Sequence, residues 1–144
     1  MIVENKNATH EYEILDTVDA GIVLSGAETK SFFDKRVTLT SSHVRILSGE
    51  MYLVNAQFTS PLVPSTLTKR SRKLLVHKRE ILSWENKIKT QKLTIVPLSL
   101  YTTGRFVKLK IGLAKARAEF NKKAKLKKHD IERETERDYR KKLD

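Results

Sequence analysis

Alternation of apolar and charged residues in RFVKLKIGLA, residues 105–114, constrains the fold more than any other feature of this sequence. Successive side chains of a β-strand point to opposite faces of the sheet, so a period of two predicts a strand with one buried face. The predicted inward residues are Val107, Leu109, Ile111 and Leu113, and the predicted outward residues are Lys108 and Lys110. A run of charged residues follows, which predicts that the packed domain ends near Ala114.

The other apolar runs are short and are separated by turn signals. HVRIL and MYLVNAQF flank SGE in the manner of a β-hairpin, and residues 12–26 contain another strand or bent pair. In KLTIVPLSLY the alternation slips at Pro97, which predicts a bulge or an edge position, with Val96, Leu98 and Leu100 facing away from Ile95. This spacing leaves no room for successive βαβ crossovers. We therefore predict a mainly β fold with short helices, arranged as a small closed antiparallel barrel of the OB type.

Two helices are predicted between the strands. Residues 27–35 follow Ser25, and Glu28 lies three residues further on, which is the spacing of a capping box. Glu28 is therefore interpreted as a capping or salt-bridge residue rather than a general acid. Residues 78–90 place Ile81, Trp84 and Ile88 on one face of an amphipathic helix.

The last part of the chain has the composition of a nucleic-acid-binding tail. From position 115 to position 128 there are seven Lys or Arg residues and one acidic residue, Glu119. A helix that is polar all round needs a partner outside the protein to be stable. We predict an amino-terminal arm at residues 1–11 that becomes ordered on contact, a barrel at residues 12–114, and a basic tail at residues 115–144.

The charge balance indicates a polyanionic partner. The formal net charge is +12 over 144 residues, which favours a nucleic acid first and an anionic membrane second. No run approaches the roughly 18 apolar residues that cross a bilayer, and the amino terminus has no signal-peptide pattern. A cytoplasmic location is expected. Because there is no cysteine, neither a disulfide nor a thiolate metal site is possible.

No catalytic constellation is recognisable in the sequence. The four histidines are scattered without the spacing of metal ligands, and there is no G-x-S-x-G motif. GAETKS, residues 26–31, lacks the glycine placement of a P-loop. We expect a protein that is not an enzyme and that holds neither a metal nor a cofactor.

Five ordered blocks resemble the SsrA-binding protein family, also called small protein B. The blocks are NKNATHEY at 5–12, DAGIVLSGAETKS at 19–31, RKLLVHKREI at 72–81, LTIVPLSLY at 93–101 and KLKIGLAK at 108–115. The resemblance implies an OB-like barrel that acts as a non-catalytic adaptor. It would bind the transfer-RNA-like domain of transfer-messenger RNA (tmRNA, or SsrA) and deliver it to bacterial ribosomes stalled on messages without a stop codon. Elongation factor Tu with alanyl-tmRNA is a further implied partner, and the protein would act as a monomer on the RNA.

The resemblance also implies contact residues on the barrel. The tmRNA contacts carried over are Asn5, His10, Tyr12, Asp19, Leu75, His77 and Lys108. Asp19 stands where the family usually has glutamate. Lys110 is added because it is predicted to face outward beside Lys108.

The tail is implied to be disordered when free and to become helical in the empty messenger channel of the stalled 70S ribosome, downstream of the decoding centre. Its expected contacts to ribosomal RNA are Lys115, Arg117, Phe120, Lys122, Lys123, Lys125, Lys127 and Lys128. ARAEFNKK, residues 116–123, departs from the family pattern G-K-K-x-[YH]-D-K-R. Ala116 replaces the glycine, and Phe120 replaces the Tyr or His.

Two alternative functions compete with this one. A structural ribosomal protein with a basic tail threaded through ribosomal RNA would share the charge and the barrel, and it would remain on ribosomes through high-salt washing. An RNA-processing enzyme would need an acid, base or metal set that the sequence does not offer.

Overall fold

The computed structural model describes residues 1–117. The predicted ribosomal contacts from Phe120 to Lys128 lie outside this range. The elements are β1 (Ile2–Glu4), α1 (Ala8–Glu11), β2 (Tyr12–Ile22), α2 (Gly26–Phe33), β3 (Val37–Thr38), β4 (His43–Leu47), β5 (Glu50–Val54), β6 (Gln57–Phe58), β7 (Arg72–Leu75), α3 (Lys78–Gln91), β8 (Thr94–Thr103) and β9 (Phe106–Ala116). A 3₁₀ turn at Ser65–Leu67 lies in the loop before β7. The predicted class, mainly β with short helices, is confirmed.

The main sheet is antiparallel and returns on itself. Its strand order is β1-β8-β4-β5-β7-β2-β9, and β9 also pairs with β8. The six strands from β8 to β9 therefore form a ring of hydrogen-bonded neighbours around one apolar core. The short strands β3 and β6 pair with each other beside it.

β9 has the alternation that its sequence predicts. Leu109, Ile111 and Leu113 are buried in the core, Val107 packs against it, and Lys110 is exposed. The strand continues to Ala116, two residues past the predicted end of the barrel, because Lys115 and Ala116 pair with Glu13 and Tyr12 at the start of β2.

β8 is irregular where the sequence predicts it, but one side chain points the other way. The register with β9 shifts between Pro97 and Ser99, which confirms the bulge. Val96 and Leu98 pack in a separate cluster, as predicted. Leu100, however, is buried in the same core as Ile95, so the prediction that it faces away is wrong. The bulge adds one residue to β8, and the alternation beyond it therefore reverses.

Both predicted helices are present. The Glu28 amide donates to Ser25 Oγ over 3.2 Å and the Ser25 amide donates to Glu28 Oε1 over 2.9 Å, which completes the capping box of α2. On α3, Ile81 and Trp84 are buried and Ile88 packs against the core.

Glu28 also takes part in a buried ion pair with Arg72. Arg72 Nε donates to Glu28 Oε2 over 2.6 Å, and both side chains are almost fully buried. Arg70 donates to the other carboxylate oxygen, and the Arg72 guanidinium lies 4.2 Å from the centre of the Phe58 ring. These contacts confirm the interpretation of Glu28 as a capping and salt-bridge residue. They also connect α2 to the loop that precedes β7.

The amino-terminal segment differs from the predicted arm. β1 pairs with β8, with Ile2 opposite Tyr101 and Glu4 opposite Ser99, and α1 follows. The physical reason lies in β8, whose pairing with β4 is limited to Val44 and Ile95. β1 supplies partners to the backbone groups of β8 that β4 does not reach, so the segment is part of the sheet.

Candidate nucleic-acid interface

The outward side of strands β7, β2, β9 and β8 brings together four of the eight predicted tmRNA contacts, namely Asp19, Leu75, Lys108 and Lys110. The pairings place Leu75 beside Gly21, Gly21 beside Lys108, and Lys108 beside Tyr101. Two residues further along, the next row contains Asp19, Lys110 and Ser99. We call these two rows the outer face. Its residues are Asp19, Gly21, Leu75, Ser99, Tyr101, Lys108 and Lys110.

Gly21 allows Leu75 to lie close to the surface of the sheet. A Cβ atom at position 21 would lie 3.1 Å from Leu75 Cβ and 3.4 Å from its Cδ1, so a larger residue would displace the leucine. Leu75 itself is 58% exposed. An isolated glycine within a strand is a known signal of such close approach, and here it places an apolar side chain beside Lys108.

Asp19 and Tyr101 interact across β9. Desolvation raises the pKa of the Tyr101 hydroxyl, and its hydrogen bond with Asp19 and the charge of Asp19 raise it further. The phenol therefore remains a donor to the Asp19 carboxylate at neutral pH. The Asp19 carboxylate therefore lies near the Tyr101 hydroxyl, on the strand that pairs with the two lysines of β9.

The lysines of the outer face are available to a partner. Within residues 1–117, neither Lys108 nor Lys110 takes part in an ion pair. Lys110 is exposed and Lys108 is half-buried. Two lysines without internal partners can contact phosphates of a ligand. The nearby Asp19 carboxylate can accept hydrogen bonds from donors of the same ligand.

His77 borders the outer face at the start of α3. It is exposed, and its carbonyl accepts hydrogen bonds from the amides of Glu80 and Ile81 over 3.0 Å and 3.1 Å. A depression of about 430 Å³ between β2 and α3 is lined by His77, Thr17 and Arg79 among others. His77 therefore lies near the β2 side of the interface, two residues beyond Leu75.

Asn5 and Tyr12 lie at the other end of the same side of the barrel. α1 covers that end, where Ala8 packs with Val96 and Ala114. Asn5 Nδ2 donates to the Pro97 carbonyl over 2.9 Å, so this side-chain amide also holds the amino-terminal segment against β8. A cavity of about 250 Å³ is lined by both Asn5 and Tyr12.

Tyr12 is half-buried. Its desolvation, with the nearby charge of Glu11, raises the pKa of its hydroxyl. His10 is exposed on α1 and is thus presented at the covered end. The structure does not bring these three residues into the two rows of the outer face.

Of the predicted tail contacts, Lys115 and Arg117 are within the described range. Lys115 is exposed on β9 opposite Glu13. The Arg117 amide donates to the Glu11 carbonyl over 3.0 Å and its Nε donates to the Thr9 carbonyl over 3.1 Å. Arg117, near the start of the tail, is therefore hydrogen-bonded to the backbone of α1.

Residues 1–117 contain no group of three or more His, Asp or Glu side chains that could hold a metal ion. None of the helices described is long and apolar enough to span a bilayer.

Comparison with known proteins places the chain in a family. The model of a family described as SmpB protein matches residues 2–141. The chain belongs to the SmpB protein family. This result confirms the family that the five sequence blocks indicate.

Individual SmpB relatives match over nearly their whole length. A protein of Persephonella marina named SsrA-binding protein is 40% identical over 147 residues, which cover 99% of this chain and 96% of the relative. One of Streptococcus pyogenes serotype M3 with the same name is 42% identical over 137 residues, covering 93% and 88%. A solved chain described as "tmRNA-SmpB: a journey to the center of the bacterial ribosome" has a TM-score of 0.66 at 38% identity, and the match covers 85% of this chain and 93% of that one.

Proposed function

We propose that this protein binds tmRNA through the outer face and delivers it to stalled ribosomes in trans-translation. Family membership gives the class of partner, since the relatives are named for binding SsrA and the solved relative is described with tmRNA and the ribosome. The observation that carries the proposal is the outer face, where Lys108 and Lys110 lie without internal partners beside Asp19 and Leu75.

Each group on this surface has a chemical role in the proposed complex. Lys108 and Lys110 bind phosphates, which provides affinity and salt dependence. Asp19, oriented by Tyr101, accepts hydrogen bonds from base amino groups or ribose 2′-hydroxyls, which neither lysine can do. Leu75 packs on a ribose or on the face of a base.

Asn5, His10 and Tyr12 extend the contact toward α1, and His77 extends it past Leu75. Because Arg117 is fastened to α1, the basic run that begins at Lys115 starts beside this end of the interface. We propose that this run contacts ribosomal RNA of the decoding centre and the messenger channel. One protein chain thus connects two RNA molecules.

The protein is proposed to act as a cytoplasmic adaptor without catalytic activity. Positioned charges and stacking surfaces are sufficient for RNA binding, and the chemistry of peptide transfer remains with the ribosome. Alanyl-tmRNA with elongation factor Tu completes the proposed set of partners, and one monomer serves each RNA.

Gel-shift titration with the isolated transfer-RNA-like domain tests the interface. Lys108→Ala should weaken binding and lower the magnitude of the slope of log affinity against log salt by about one. Lys87→Ala is the matched control, because Lys87 is an exposed lysine on α3. An unchanged slope for Lys108→Ala, or an equal change for Lys87→Ala, would exclude this face as the site.

Truncation after Arg117 tests the division of labour. The truncated protein should retain most of its affinity for the transfer-RNA-like domain but lose tagging on stalled ribosomes in a purified translation system. Full tagging by the truncated protein would contradict the role proposed for the tail. Retention of the protein on ribosomes through high-salt washing, without tmRNA, would instead favour a structural ribosomal protein.

A further inference from the structure

Apolar side chains are exposed together where the outer face meets the hairpin between β8 and β9. Phe106 is 71% exposed, Leu75 is 58% exposed and Val23 is 47% exposed. Phe106 follows the turn at Gly104, where the backbone has a φ of +57°, and its partner across the hairpin is Thr103. We call Val23, Leu75 and Phe106 the apolar strip.

Strand register shows that the strip continues the outer face. Phe106 is two residues before Lys108 on β9, so the two side chains point to the same side of the sheet. The pairing of β2 with β9 ends at Gly21 and Lys108, and Val23 and Phe106 each lie two residues beyond that last pair, on the same side of the sheet. The Val23 amide donates to the Lys73 carbonyl over 3.0 Å, which holds Val23 beside β7.

The strip is small and is bordered by basic residues. The basic residues nearest to it along the chain are Arg105 in the turn, Lys108 on β9 and Lys73 on β7. Lys73 forms an ion pair with Glu50 at 3.1 Å, whereas Lys108 has no acidic partner within residues 1–117. Three side chains cannot form a stable protein–protein interface, which needs about 20 to 30 residues a side. A single nucleobase whose phosphate lies near a lysine is a small enough ligand for such a strip.

We propose that the apolar strip is a stacking site for one unpaired nucleotide of the RNA, with the Phe106 ring as its platform and Lys108 at the adjoining phosphate. This rests on the proposed function and adds to it a subsite with a stated chemistry. A flat ring with one open face binds any base by stacking, and the base must be unpaired to present its own face. The strip therefore selects an unpaired nucleotide in a loop or bulge of the RNA and does not discriminate between the four bases.

Substitution of Phe106 tests the platform. Stacking on one aromatic ring typically contributes enough that Phe106→Ala should weaken binding of the transfer-RNA-like domain by about five-fold or more. Phe106→Trp should retain wild-type affinity. Phe33→Ala is the matched control, because Phe33 is 53% exposed on α2 and lies outside the outer face. Equal affinity of Phe106→Ala and wild type would overturn the proposal.

The salt dependence separates stacking from charge. Phe106→Ala should lower the affinity at every salt concentration and leave the slope unchanged, whereas Lys108→Ala should reduce the slope. A reduced slope for Phe106→Ala would mean that the residue only positions Lys108, which would overturn the stacking role.

Photocrosslinking identifies the occupant directly. With p-benzoylphenylalanine at position 106, the complex should crosslink to a nucleotide in a loop or bulge of the RNA. Crosslinks to a base-paired stem, or to a second copy of the protein, would refute the proposal. If wild-type protein fails to bind the transfer-RNA-like domain, the proposed function fails; if it binds and the crosslink maps elsewhere, the stacking site alone fails.

Discussion

Removal of the Arg72 guanidinium should destabilise the barrel more than other single changes to its polar groups. Burial lowers the pKa of Arg72 and Glu28 opposes this effect, yet an arginine remains charged in a protein. Its donors are all used. Nε donates to Glu28, Nη1 donates to the carbonyls of Ala56 and Arg70 over 2.7 Å and 2.8 Å, and Nη2 donates to those of Thr68 and Leu67 over 2.9 Å and 3.3 Å.

Arg72→Met keeps an apolar stem of similar length and removes the charge. Glu28, which is only 2% exposed, is then left with Arg70 and the Ser25 amide, and four carbonyls lose a donor. Loss of one partner of a buried ion pair costs about 3–5 kcal/mol, which is a large share of the roughly 5–15 kcal/mol that stabilises a domain. With a urea m-value of about 2 kcal/mol per molar, the unfolding midpoint should fall by about 2 M.

Urea unfolding followed by fluorescence of Trp84, the only tryptophan, measures this change. Lys73→Met is the matched control, since Lys73 is the next residue and its side chain is 44% exposed. It should change the free energy of unfolding by less than about 0.5 kcal/mol. A loss below about 1 kcal/mol for Arg72→Met would refute the reasoning, because it would mean that the buried charge is compensated elsewhere.

A double substitution tests whether the cost is due to an uncompensated carboxylate. In Arg72→Met with Glu28→Gln the remaining group is neutral, so the double variant should be less destabilised than the sum of the two single variants. A coupling energy of about 0.5–3 kcal/mol is expected for residues in direct contact. Strict additivity would show that the two side chains act independently.

Three further outcomes follow from the same structure. Burial raises the pKa of Glu28, but hydrogen bonds from its arginine partners and a backbone amide outweigh it and lower the pKa below the ordinary 4.5. Its contribution to stability is therefore full above pH 4.5 and is lost as the pH falls through the folded value, so urea midpoints should drop in acid for wild type and less for Glu28→Gln. Gly21→Ala should displace Leu75 and weaken RNA binding a few-fold while thermal unfolding changes little; unchanged affinity would mean that Leu75 is not a contact. Trp84→Phe removes the 3.0 Å hydrogen bond from Nε1 to Asp16 Oδ2 and should cost about 1–2 kcal/mol in urea unfolding followed by circular dichroism, whereas equal stability would mean that solvent replaces the bond.

Elements whose patterns are local could be predicted from the sequence. The alternation of β9, the apolar face of α3 and the capping box of α2 each depend on residues within a few positions of one another. The prediction for Leu100 is wrong because a bulge reverses the alternation, and the sequence does not show on which side of Pro97 the extra residue lies. The sequence of residues 1–11 predicts an arm, because the vacant edge of β8 that β1 occupies is a feature of the assembled sheet.

The kind of ligand could be predicted from the sequence, but the set of residues that lie together in the candidate site could not. Sequence blocks indicated Asp19, Leu75 and Lys108, but their adjacency depends on the register between strands that are more than 50 residues apart in the chain. Tyr101 and Phe106 had no signal of their own, since an aromatic residue in a strand is usually a core residue. Only the exposed fraction of Phe106 and the hydrogen bond of Tyr101 with Asp19 distinguish them.

β7 shows why a sequence motif alone cannot separate stability from binding. Its four residues read RKLL, and a strand presents alternate side chains to opposite faces. Arg72 and Leu74 are buried inside, whereas Lys73 and Leu75 lie outside, so one sequence block contains both an ion pair that stabilises the fold and a proposed RNA contact. The two roles differ in their expected measurements: a change on the inner side should lower the unfolding midpoint, and a change on the outer side should lower RNA affinity at constant stability. A Leu75→Asp variant that unfolds at the wild-type urea concentration yet binds RNA poorly would place Leu75 in the second class.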